Sequence, residues 1–398
     1  MNINKNKQVL IVAPGLRVGG VEKSLLGLLN SLDPAKCDIT LFLYRHDGEL
    51  MSLLPASVKL LPEIQKYADV DNRIAEVLLR NPTIAIARLA AKWITALRNF
   101  LGVRGELLPR SVRYSVPFLP FIPGEYDTAI SFLGPHDPLI KRVKAKKRIG
   151  WIHTDHTQEA FDKKFEIETW RNLNQIIAVS DGVAATFISI YPKLSAKISV
   201  IENVFSPDLV RSEAKKFLVS EEVSRKHRGL VLCTVARLSS AKGIDLGIES
   251  ARILKEQNLD FVWFVVGAGP DEAMLRRLVK KYGLEEEFIL LGQKLNPYPY
   301  MQACDIYVQP SRYEGKAVAV REAQALGKLV IITNYPTALS QVRDGIDGVI
   351  AGNTPDEISR AITKLSKDGN LKNRIQEELA DLSSSNRDEV EKFYEIIR

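Results

Sequence analysis

Residues 229–267 read GLVLCTVARLSSAKGIDLGIESARILKEQNLDFVWFVVG. Two apolar runs, at 229–236 and 261–267, enclose a polar loop and a stretch of helical pattern. Continuous apolar strands that alternate with helices are typical of parallel sheets covered on both faces. This segment therefore predicts a β–α–β unit of an α/β domain.

The same alternation extends through the rest of the chain. The polar, charged segment 207–228 has no strand pattern and separates two series of runs. We therefore predict two doubly wound, Rossmann-like α/β domains, the first at 1–203 and the second at 204–381. The further predicted strands lie at 9–13, 39–44, 128–133, 149–152, 175–180, 197–203, 288–292, 305–311 and 328–333.

Composition excludes several classes of protein. The 398 residues are 45% hydrophobic and 26% charged, as in globular domains with buried cores. The net charge of +7 suits anionic partners such as nucleotide phosphates or an anionic membrane. Cys37, Cys233 and Cys304 lie far apart beside apolar runs, which predicts buried free thiols in a reducing compartment. The run at 9–13 is too short for a signal-peptide core and no run spans a membrane, so we expect a cytoplasmic protein.

The stretch QPSRYEGKAVAVREAQALG at 309–327 places two carboxylates behind a predicted strand. Glu314 lies in the loop, and Glu322 follows eight residues later on a helix predicted over 316–326. Gly327 is the residue expected just past the end of that helix. Because ligands of doubly wound sheets bind beyond the carboxyl ends of the strands, both carboxylates are expected in one crevice.

Anion-binding groups occur beside these carboxylates. Gly315 permits a close approach of backbone to a ligand, and the N–H groups of Lys316 and Ala317 open a helix, where anions bind readily. Arg237 and Lys242 follow the strand at 229–236 and are five residues apart. An arginine fork and a lysine point charge in such a loop are well placed to hold a diphosphate.

These motifs resemble the signatures of retaining glycosyltransferases of the GT-B fold, family 4 type, also called glycosyl transferases group 1. EGKAVAVRE at 314–322 matches their E-x7-E pattern, and RLSSAKG at 237–243 matches their phosphate-binding RL-x-x-x-KG stretch. The sequence at 311–337 is similar to that of family members from bacterial surface-polysaccharide synthesis. The resemblance covers nearly the whole chain and is densest at 228–350.

The resemblance implies a role for each matched residue. Glu314 would hold hydroxyls of the donor sugar, Glu322 the ribose, and Arg237 with Lys242 the leaving diphosphate. RVGGVEKS at 17–24 and WIHTD at 151–155 match two further family motifs. By the same resemblance the remaining donor contacts are Gly19 and Gly20 at the phosphate, His153 at the sugar, Gly267 in a glycine turn and Gln293 beside the base.

The resemblance also implies an architecture and a reaction. The two domains would face each other across a crevice, with the final helix at about 382–398 packing back on the first. A sugar would pass from a nucleotide-sugar to a hydroxyl of a polysaccharide or lipid-linked saccharide. UDP is the carrier by family habit, and GDP and other nucleotides stay open. No metal or other cofactor is expected, because fixed cations would take the metal's role. Two alternatives stay open: a sugar-nucleotide epimerase of the same fold, and a non-catalytic sugar-nucleotide-binding scaffold.

Three other patterns do not predict a functional site. GAGPDEA at 267–273 has Glu272 where a dinucleotide fingerprint needs its third glycine, so NAD binding is not expected. His153, Asp155 and His156 lack a distant fourth ligand, so no metal site is predicted. Asp69-Val70-Asp71 follows no strand and is interpreted as surface.

Two basic regions are candidate membrane contacts. Residues 81–113 begin with Asn81–Pro82, a typical helix start. In that helix Arg88, Lys92 and Arg98 lie toward one side, which predicts either docking on an anionic membrane or ordinary packing on the first domain. The segment 141–148, KRVKAKKR, is the second region. Nucleic acid is not expected, since no binding module is recognisable. The apolar side of the 81–113 helix would carry Ile86, Leu89, Trp93, Leu97, Phe100 and Leu101.

Overall fold

The computed structural model describes residues 6–17, 19–102, 107–154, 162–217, 219, 229–314, 317–381 and 387–398. The chain divides into two compact units. The first comprises Met1–Val204 with Asp388–Arg398, and the second Phe205–Arg387.

The first unit is built on a parallel sheet with the strand order β3-β2-β1-β4-β5-β6-β7. The strands are β1 (Lys7–Ala13), β2 (Cys37–Leu43), β3 (Lys59–Leu60), β4 (Glu125–Ser131), β5 (Lys144–Ile152), β6 (Gln175–Ala178) and β7 (Ile198–Val200). The helices are α1 (Gly20–Ser31), α2 (Gln65–Ala68), α3 (Ile74–Arg80), α4 (Pro82–Phe100), α5 (Leu107–Ser115), α6 (Asp137–Arg142), α7 (Lys163–Arg171) and α8 (Asp181–Ile190). Short 3-10 turns lie at Glu49–Leu53, Val116–Phe118 and Pro192–Lys197.

The second unit has its own parallel sheet, with the strand order β10-β9-β8-β11-β12-β13. The strands are β8 (Leu230–Val235), β9 (Phe261–Val266), β10 (Phe288–Gly292), β11 (Ile306–Gln309), β12 (Leu329–Thr333) and β13 (Val349–Ala351). The helices are α9 (Pro207–Ala214), α10 (Ile244–Glu256), α11 (Glu272–Lys281), α12 (Tyr298–Ala303), α13 (Val318–Ala325), α14 (Pro355–Lys367) and α15 (Gly369–Asp381), with 3-10 turns at Ser240–Lys242 and Ala338–Ser340.

Both faces of the second sheet are buried. Leu232 and Trp263 belong to one apolar cluster, whereas their neighbours Cys233 and Phe264 belong to another. Successive side chains of a strand point to opposite faces, so helices cover the sheet on both sides. The strand order reverses between β8 and β11, which is where ligands of such sheets bind.

The predicted strands are confirmed, and the predicted helix end at Gly327 is also confirmed. Gly327 has a φ of +70°. Its N–H donates to the Gln324 carbonyl at 2.9 Å, and the Lys328 N–H donates to the Ala323 carbonyl at 3.0 Å. This pair of bonds is a Schellman motif, which satisfies the last carbonyls of α13. The helix begins at Val318, two residues later than predicted.

The last helix, α16 (Arg387–Ile397), contributes to the core of the first unit. Phe393 is fully buried there. The Tyr394 hydroxyl accepts the Asp33 N–H at 2.6 Å, and Lys36 forms a 2.8 Å ion pair with Glu391. The last helix of the chain therefore packs in the same unit as the first 204 residues.

One expectation about a charged segment needs correction, and the structure adds detail to a second segment. Asp69 is fully buried, so the interpretation of the 69–71 stretch as surface is wrong for this residue. Hydrogen bonds from Asn72, Asn81 and Gln65 keep its pKa low although burial opposes ionisation. The basic segment 141–148 is largely the first half of β5, an interior strand. Its cations contact the unit itself, through the pairs Lys144–Glu125, Lys146–Asp127, Lys147–Ile396 carbonyl and Arg148–Val143 carbonyl.

The three cysteines are buried and free, as predicted. Among the described residues, no helix combines the length and apolarity that crossing a bilayer requires.

Candidate functional site

The loops that follow β8 and β11 are joined at the switch point of the second sheet. The backbone N–H groups of Arg312 and Tyr313 both donate to the Ala241 carbonyl, at 2.9 and 3.3 Å. The Arg312 guanidinium also makes two parallel hydrogen bonds, of 2.7 and 2.6 Å, to the Asp245 carboxylate. Because bidentate pairs fix orientation as well as distance, the two loops form one framework.

Two glycines let these loops approach closely. Gly243 has a φ of +61°, and a Cβ there would lie 1.9 Å from the Pro310 carbonyl oxygen. Gly267 was expected to contact the donor. A Cβ on Gly267 would lie 1.9 Å from the Ala236 carbonyl oxygen. Since no side chain fits at either position, both glycines are required by backbone packing beneath the site.

Lys242 and Glu314 come together on this framework. The Lys242 Nζ donates to Glu314 Oε2 at 2.6 Å. The other carboxylate oxygen accepts hydrogen bonds from the Ser311 hydroxyl at 2.7 Å and the Gln309 amide at 3.2 Å. Glu314 is only 5% exposed, so its charge depends on these three donors. The two residues predicted for the diphosphate and the sugar are thus bonded to each other.

Arg237 and Gln293 lie at the carboxyl ends of two strands of the second sheet, β8 and β10, with β9 between them. Arg237 follows β8, is exposed, and makes no side-chain hydrogen bond or ion pair with any residue that the structure describes. Gln293 follows β10 directly, is exposed, and comes after Gly292, whose φ is +73°. An uncompensated guanidinium at a switch point is a ready binding group for an anion.

Glu322 is buried on α13 and has a partner that sequence reasoning missed. The Tyr298 hydroxyl donates to Glu322 Oε1 at 2.7 Å. Burial and the nearby Glu322 carboxylate raise the pKa of Tyr298 well above its ordinary value. Tyr298 therefore stays a donor and fixes the carboxylate predicted to hold the ribose. YPYM at 298–301 has no spacing signal that ties it to Glu322.

The expected anion site at the start of α13 needs correction at Ala317. The Ala317 N–H donates to Gln341 Oε1 at 3.2 Å, and the Gln341 amide donates to the Ala317 carbonyl. The Tyr335 hydroxyl holds the same Gln341 oxygen at 2.6 Å. The Ala317 N–H is therefore already used by the fold. Gly315 and Lys316 lie outside the described residues.

In the first unit, Gly19 and Gly20 stand at the N-terminus of α1. Gly19 is its N-cap in an extended conformation, and no side chain caps the helix. A Cβ on Gly20 would meet nothing within 4 Å, and one on Gly19 would meet only the Glu22 side chain. Packing thus explains why residues 243 and 267 are glycines, but it does not explain Gly20. A glycine that a ligand approaches closely would show the same lack of neighbours.

His153 follows the end of β5. Its Nε2 lies 2.8 Å from the Phe132 carbonyl oxygen, so Nε2 carries the proton. Burial lowers the pKa of His153 to about 4, although the Phe132 carbonyl and the nearby Asn203 side chain oppose that shift. Nδ1 is buried and makes no hydrogen bond among the described residues. His153 is therefore neutral at pH 7 and offers Nδ1 as an acceptor, not as an acid.

No group of three or more His, Cys, Asp or Glu with metal-binding geometry occurs in the described part of the chain. Asp155 and His156, the other members of the candidate cluster at 153–156, lie outside that part.

Comparison with known proteins assigns the second unit to a class. Residues 217–380 match the family of glycosyl transferases group 1. The amylovoran biosynthesis glycosyltransferase AmsK of Erwinia amylovora is 32% identical over 133 residues, which are 31% of this chain and 33% of AmsK. The lipopolysaccharide core biosynthesis mannosyltransferase LpsB of Rhizobium meliloti is 28% identical over 197 residues, which are 48% of this chain and 53% of LpsB. The matches thus span between a third and about half of these relatives.

Comparison of structures extends the likeness to the whole chain. The crystal structure of Anabaena HepE in complex with UDP and glucose has a TM-score of 0.69 at 17% identity, and covers 98% of this chain and 99% of that one.

Together, the two sheets and the site define an α/β protein of two Rossmann-like domains, with cationic side chains at a strand-order reversal. The second domain is a glycosyl transferases group 1 domain. The predicted family resemblance and the predicted GT-B fold class are confirmed. The family 4 subtype and the roles assigned to individual residues remain predictions.

Proposed function

We propose that the protein is a retaining glycosyltransferase that moves a sugar from a nucleotide-sugar, with UDP as the carrier, to an acceptor hydroxyl. The acceptor we propose is a growing polysaccharide or a lipid-linked saccharide of the cell surface. The names of AmsK and LpsB support this acceptor class, and the UDP and glucose bound to HepE support the donor.

One observation carries the proposal: the buried Glu314 is paired with Lys242, and the exposed Arg237 precedes Lys242 in the same loop and has no partner among the described residues. A diphosphate needs cations, and a sugar needs hydrogen-bonding groups that hold its hydroxyls. Both kinds of group are present at the switch point. When a diphosphate binds, Lys242 can divide its donors between the phosphate and Glu314, since an ammonium has three N–H bonds.

The chemistry we propose is electrostatic. The bond between the anomeric carbon and the diphosphate breaks, and negative charge accumulates on the leaving phosphate. Arg237 and Lys242 stabilise that charge, and one such preorganised donor contributes about 3 kcal/mol in comparable sites. The acceptor hydroxyl adds to the anomeric carbon on the same face, and its proton passes to the departing phosphate. Glu314 then positions the sugar and forms no covalent bond. We propose no metal in this scheme.

His153 has a narrower role in the proposal. A neutral ring whose Nε2–H is bonded to Phe132 cannot protonate a leaving group at neutral pH. Its unprotonated Nδ1 is an acceptor, which donor binding must uncover before a sugar hydroxyl can donate to it. We therefore assign it to substrate positioning.

The test is thermal unfolding with UDP, GDP, ADP and CMP, each with and without EDTA. A ligand at about 100 times its Kd adds about 2.7 kcal/mol of stability. For a unit of this size, that corresponds to a rise in Tm of at least about 5 °C. We expect UDP to give this rise, EDTA to leave it unchanged, and Arg237→Ala to abolish it.

Arg277→Ala is the matched control. Arg277 lies on α11 in the same unit, is exposed, and has no side-chain partner among the described residues. It should keep the UDP effect in full. If no nucleotide stabilises the wild type, or if Arg237→Ala and Arg277→Ala behave alike, the donor site is misassigned.

Turnover separates this proposal from its two alternatives. With UDP-sugars and a saccharide acceptor, transfer supports a glycosyltransferase. Interconversion of the sugar without any acceptor indicates an epimerase. Nucleotide-dependent stabilisation without either product, across a donor panel, indicates a non-catalytic scaffold. Proton NMR of the first-formed product reports whether the anomeric configuration is retained.

A further inference from the structure

The outward side of α4 is a row of large apolar side chains. Ile86, Trp93, Leu97 and Phe100 are 62%, 76%, 59% and 87% exposed. They recur at helical spacing, so they form one continuous strip, which we call the outer face of α4. Leu79, which is 88% exposed, lies on α3 just before the helix. Soluble proteins rarely expose an apolar surface of this extent without a binding partner.

The helix cannot turn this strip inward, because its other side is anchored. Ala85, Ala87 and Ala91 are buried against the unit. Arg88 donates to the carbonyls of Asp69 and Asn72, at 2.8 and 2.6 Å. Arg98 forms a 2.7 Å ion pair with Asp162, and buried Arg110 reaches the same carboxylate at 2.5 Å. Apart from the buried Ile84, the packed side thus consists of small and polar side chains, and the free side is large and apolar. This is the reverse of an ordinary surface helix.

The charge of the same stretch is one-sided. Between Val77 and Gly102 the sequence has no acid, and its four cations are Arg80, Arg88, Lys92 and Arg98. Arg80 and Arg98 are neutralised by Asp69 and Asp162. Arg88 bonds to backbone carbonyls, and the exposed Lys92 forms no ion pair with the residues that the structure describes. The strip is therefore bordered by a cation, Lys92, that has no ion-pair partner in the described part of the chain.

We propose that the outer face of α4 docks on the surface of a lipid bilayer containing anionic phospholipids. Trp93, Leu97 and Phe100 enter the boundary between headgroups and acyl chains, and Lys92 contacts anionic headgroups. A long row of protruding side chains on a single helix suits a flat, fluid partner that it can sink into. A second copy of the chain suits it less. A two-fold interface would bring the same cation-bordered strip against itself, and like charges would repel.

The inference is independent of the proposed reaction, because it rests on surface geometry and charge alone. If it is correct, the protein meets a membrane along α4 without inserting a spanning helix.

Vesicle flotation of the full chain tests it, without donor or acceptor. The probes are phosphatidylcholine vesicles and phosphatidylcholine vesicles with about one third phosphatidylglycerol, each at low and physiological salt. We expect the wild type to float with the anionic vesicles and to bind them less tightly as salt increases. The double variant Trp93→Gln, Phe100→Gln should bind at least about tenfold more weakly. Lys92→Gln should lose about fivefold on anionic vesicles and nothing on neutral ones.

Matched controls lie in the second unit. The double variant Leu339→Gln, Ile346→Gln removes two exposed apolar side chains, and Lys367→Gln removes an exposed cation. Both should bind vesicles as the wild type does. Far-UV circular dichroism and thermal unfolding of both units, measured without nucleotide, verify that each variant is folded.

Three results would overturn the inference. The wild type could fail to float with anionic vesicles. The Trp93 and Phe100 variant could bind them as well as the wild type does. Sedimentation could instead show a wild-type dimer that this variant dissociates while vesicle binding is unchanged, and the strip would then be an interface between copies. Vesicle binding without sugar transfer would leave the inference standing and reject only the proposed function.

Discussion

Replacing Glu314 with Gln keeps the shape of the side chain but removes the charge that Lys242 contacts at 2.6 Å. An amide has one oxygen, so it cannot accept hydrogen bonds both from Lys242 on one side and from Ser311 and Gln309 on the other. Whichever way the amide turns, an N–H group faces another donor. We therefore expect Glu314→Gln to weaken the framework of the second unit as well as sugar binding.

The expected loss follows from the contacts. A hydrogen bond to a charged group contributes about 1.5–3 kcal/mol. The Lys242 side chain is 27% exposed, so water recovers part of what its ammonium loses. We expect Glu314→Gln to lower the free energy of unfolding by about 2 kcal/mol. At about 2–4 °C per kcal/mol, that is a fall in Tm of about 4–8 °C for the second unit.

A double-mutant cycle isolates the pair. Lys242→Met, Glu314→Gln and the double variant are compared by differential scanning calorimetry, with separate transitions allowed for the two units. If the pair acts as one element, the second substitution costs much less in the presence of the first, with a coupling energy of about 1.5 kcal/mol. Additivity within about 0.5 kcal/mol would refute the reasoning. The Lys242–Glu314 contact would then be close in distance but would contribute no measurable coupling energy to stability.

Two further predictions concern stability alone. Gly243→Ala should destabilise the second unit by more than about 2 kcal/mol, because the new Cβ would lie 1.9 Å from the Pro310 carbonyl oxygen. Gly283 has a similar φ of +63°, and a Cβ there would meet nothing within 4 Å. In thermal melts, Gly283→Ala should therefore cost only about 1 kcal/mol. Equal costs would mean that backbone strain, not the close approach, requires Gly243. The pKa of His153 in the folded protein, about 4, is below its ordinary value. As pH falls, the unfolded chain therefore takes up the proton first. The contribution of the neutral ring to stability is complete above about pH 6.5 and is lost toward pH 4. Relative to His153→Gln, the wild type should lose about 3 kcal/mol over that range in urea unfolding, and parallel pH profiles would contradict the assignment.

The strands of this fold are largely predictable from the sequence, because buried parallel strands are continuous apolar runs. The strands or parts of strands that the sequence does not predict are short or polar. β3 at Lys59–Leu60 and β13 at Val349–Ala351 are too short to give a pattern. The first half of β5 is hidden among lysines that pair with acids of β4, such as Lys146 with Asp127. Such pairing depends on the neighbouring strand, which a local pattern does not contain.

The candidate site is predictable in its residue types but less so in its bonds. Glu314, Lys242 and Arg237 were found from their positions after strands, yet nothing local indicates that Lys242 bonds Glu314, which is 72 residues away. Gln341 similarly reaches back 24 residues to occupy the Ala317 N–H. For α4, the alternation of apolar and basic residues predicted the helix and its two sides. The side that packs inward holds Ile84 and three alanines, whose small size allows close contact that hydrophobicity alone does not predict.

The interlocked glycine turns also bear on how donor preference could change during evolution or in the laboratory. Gly243 packs closely against the Pro310 carbonyl, and Gly267 packs closely against the Ala236 carbonyl. An insertion in any one of these turns would therefore displace the turn that it contacts. Transplanting a single loop from a relative should therefore fail, whereas exchanging all the turns as one block should succeed. The exposed Gln293, at the end of β10, lies outside these contacts. We expect it to be a position at which a new specificity can arise by single substitutions while the fold stays intact.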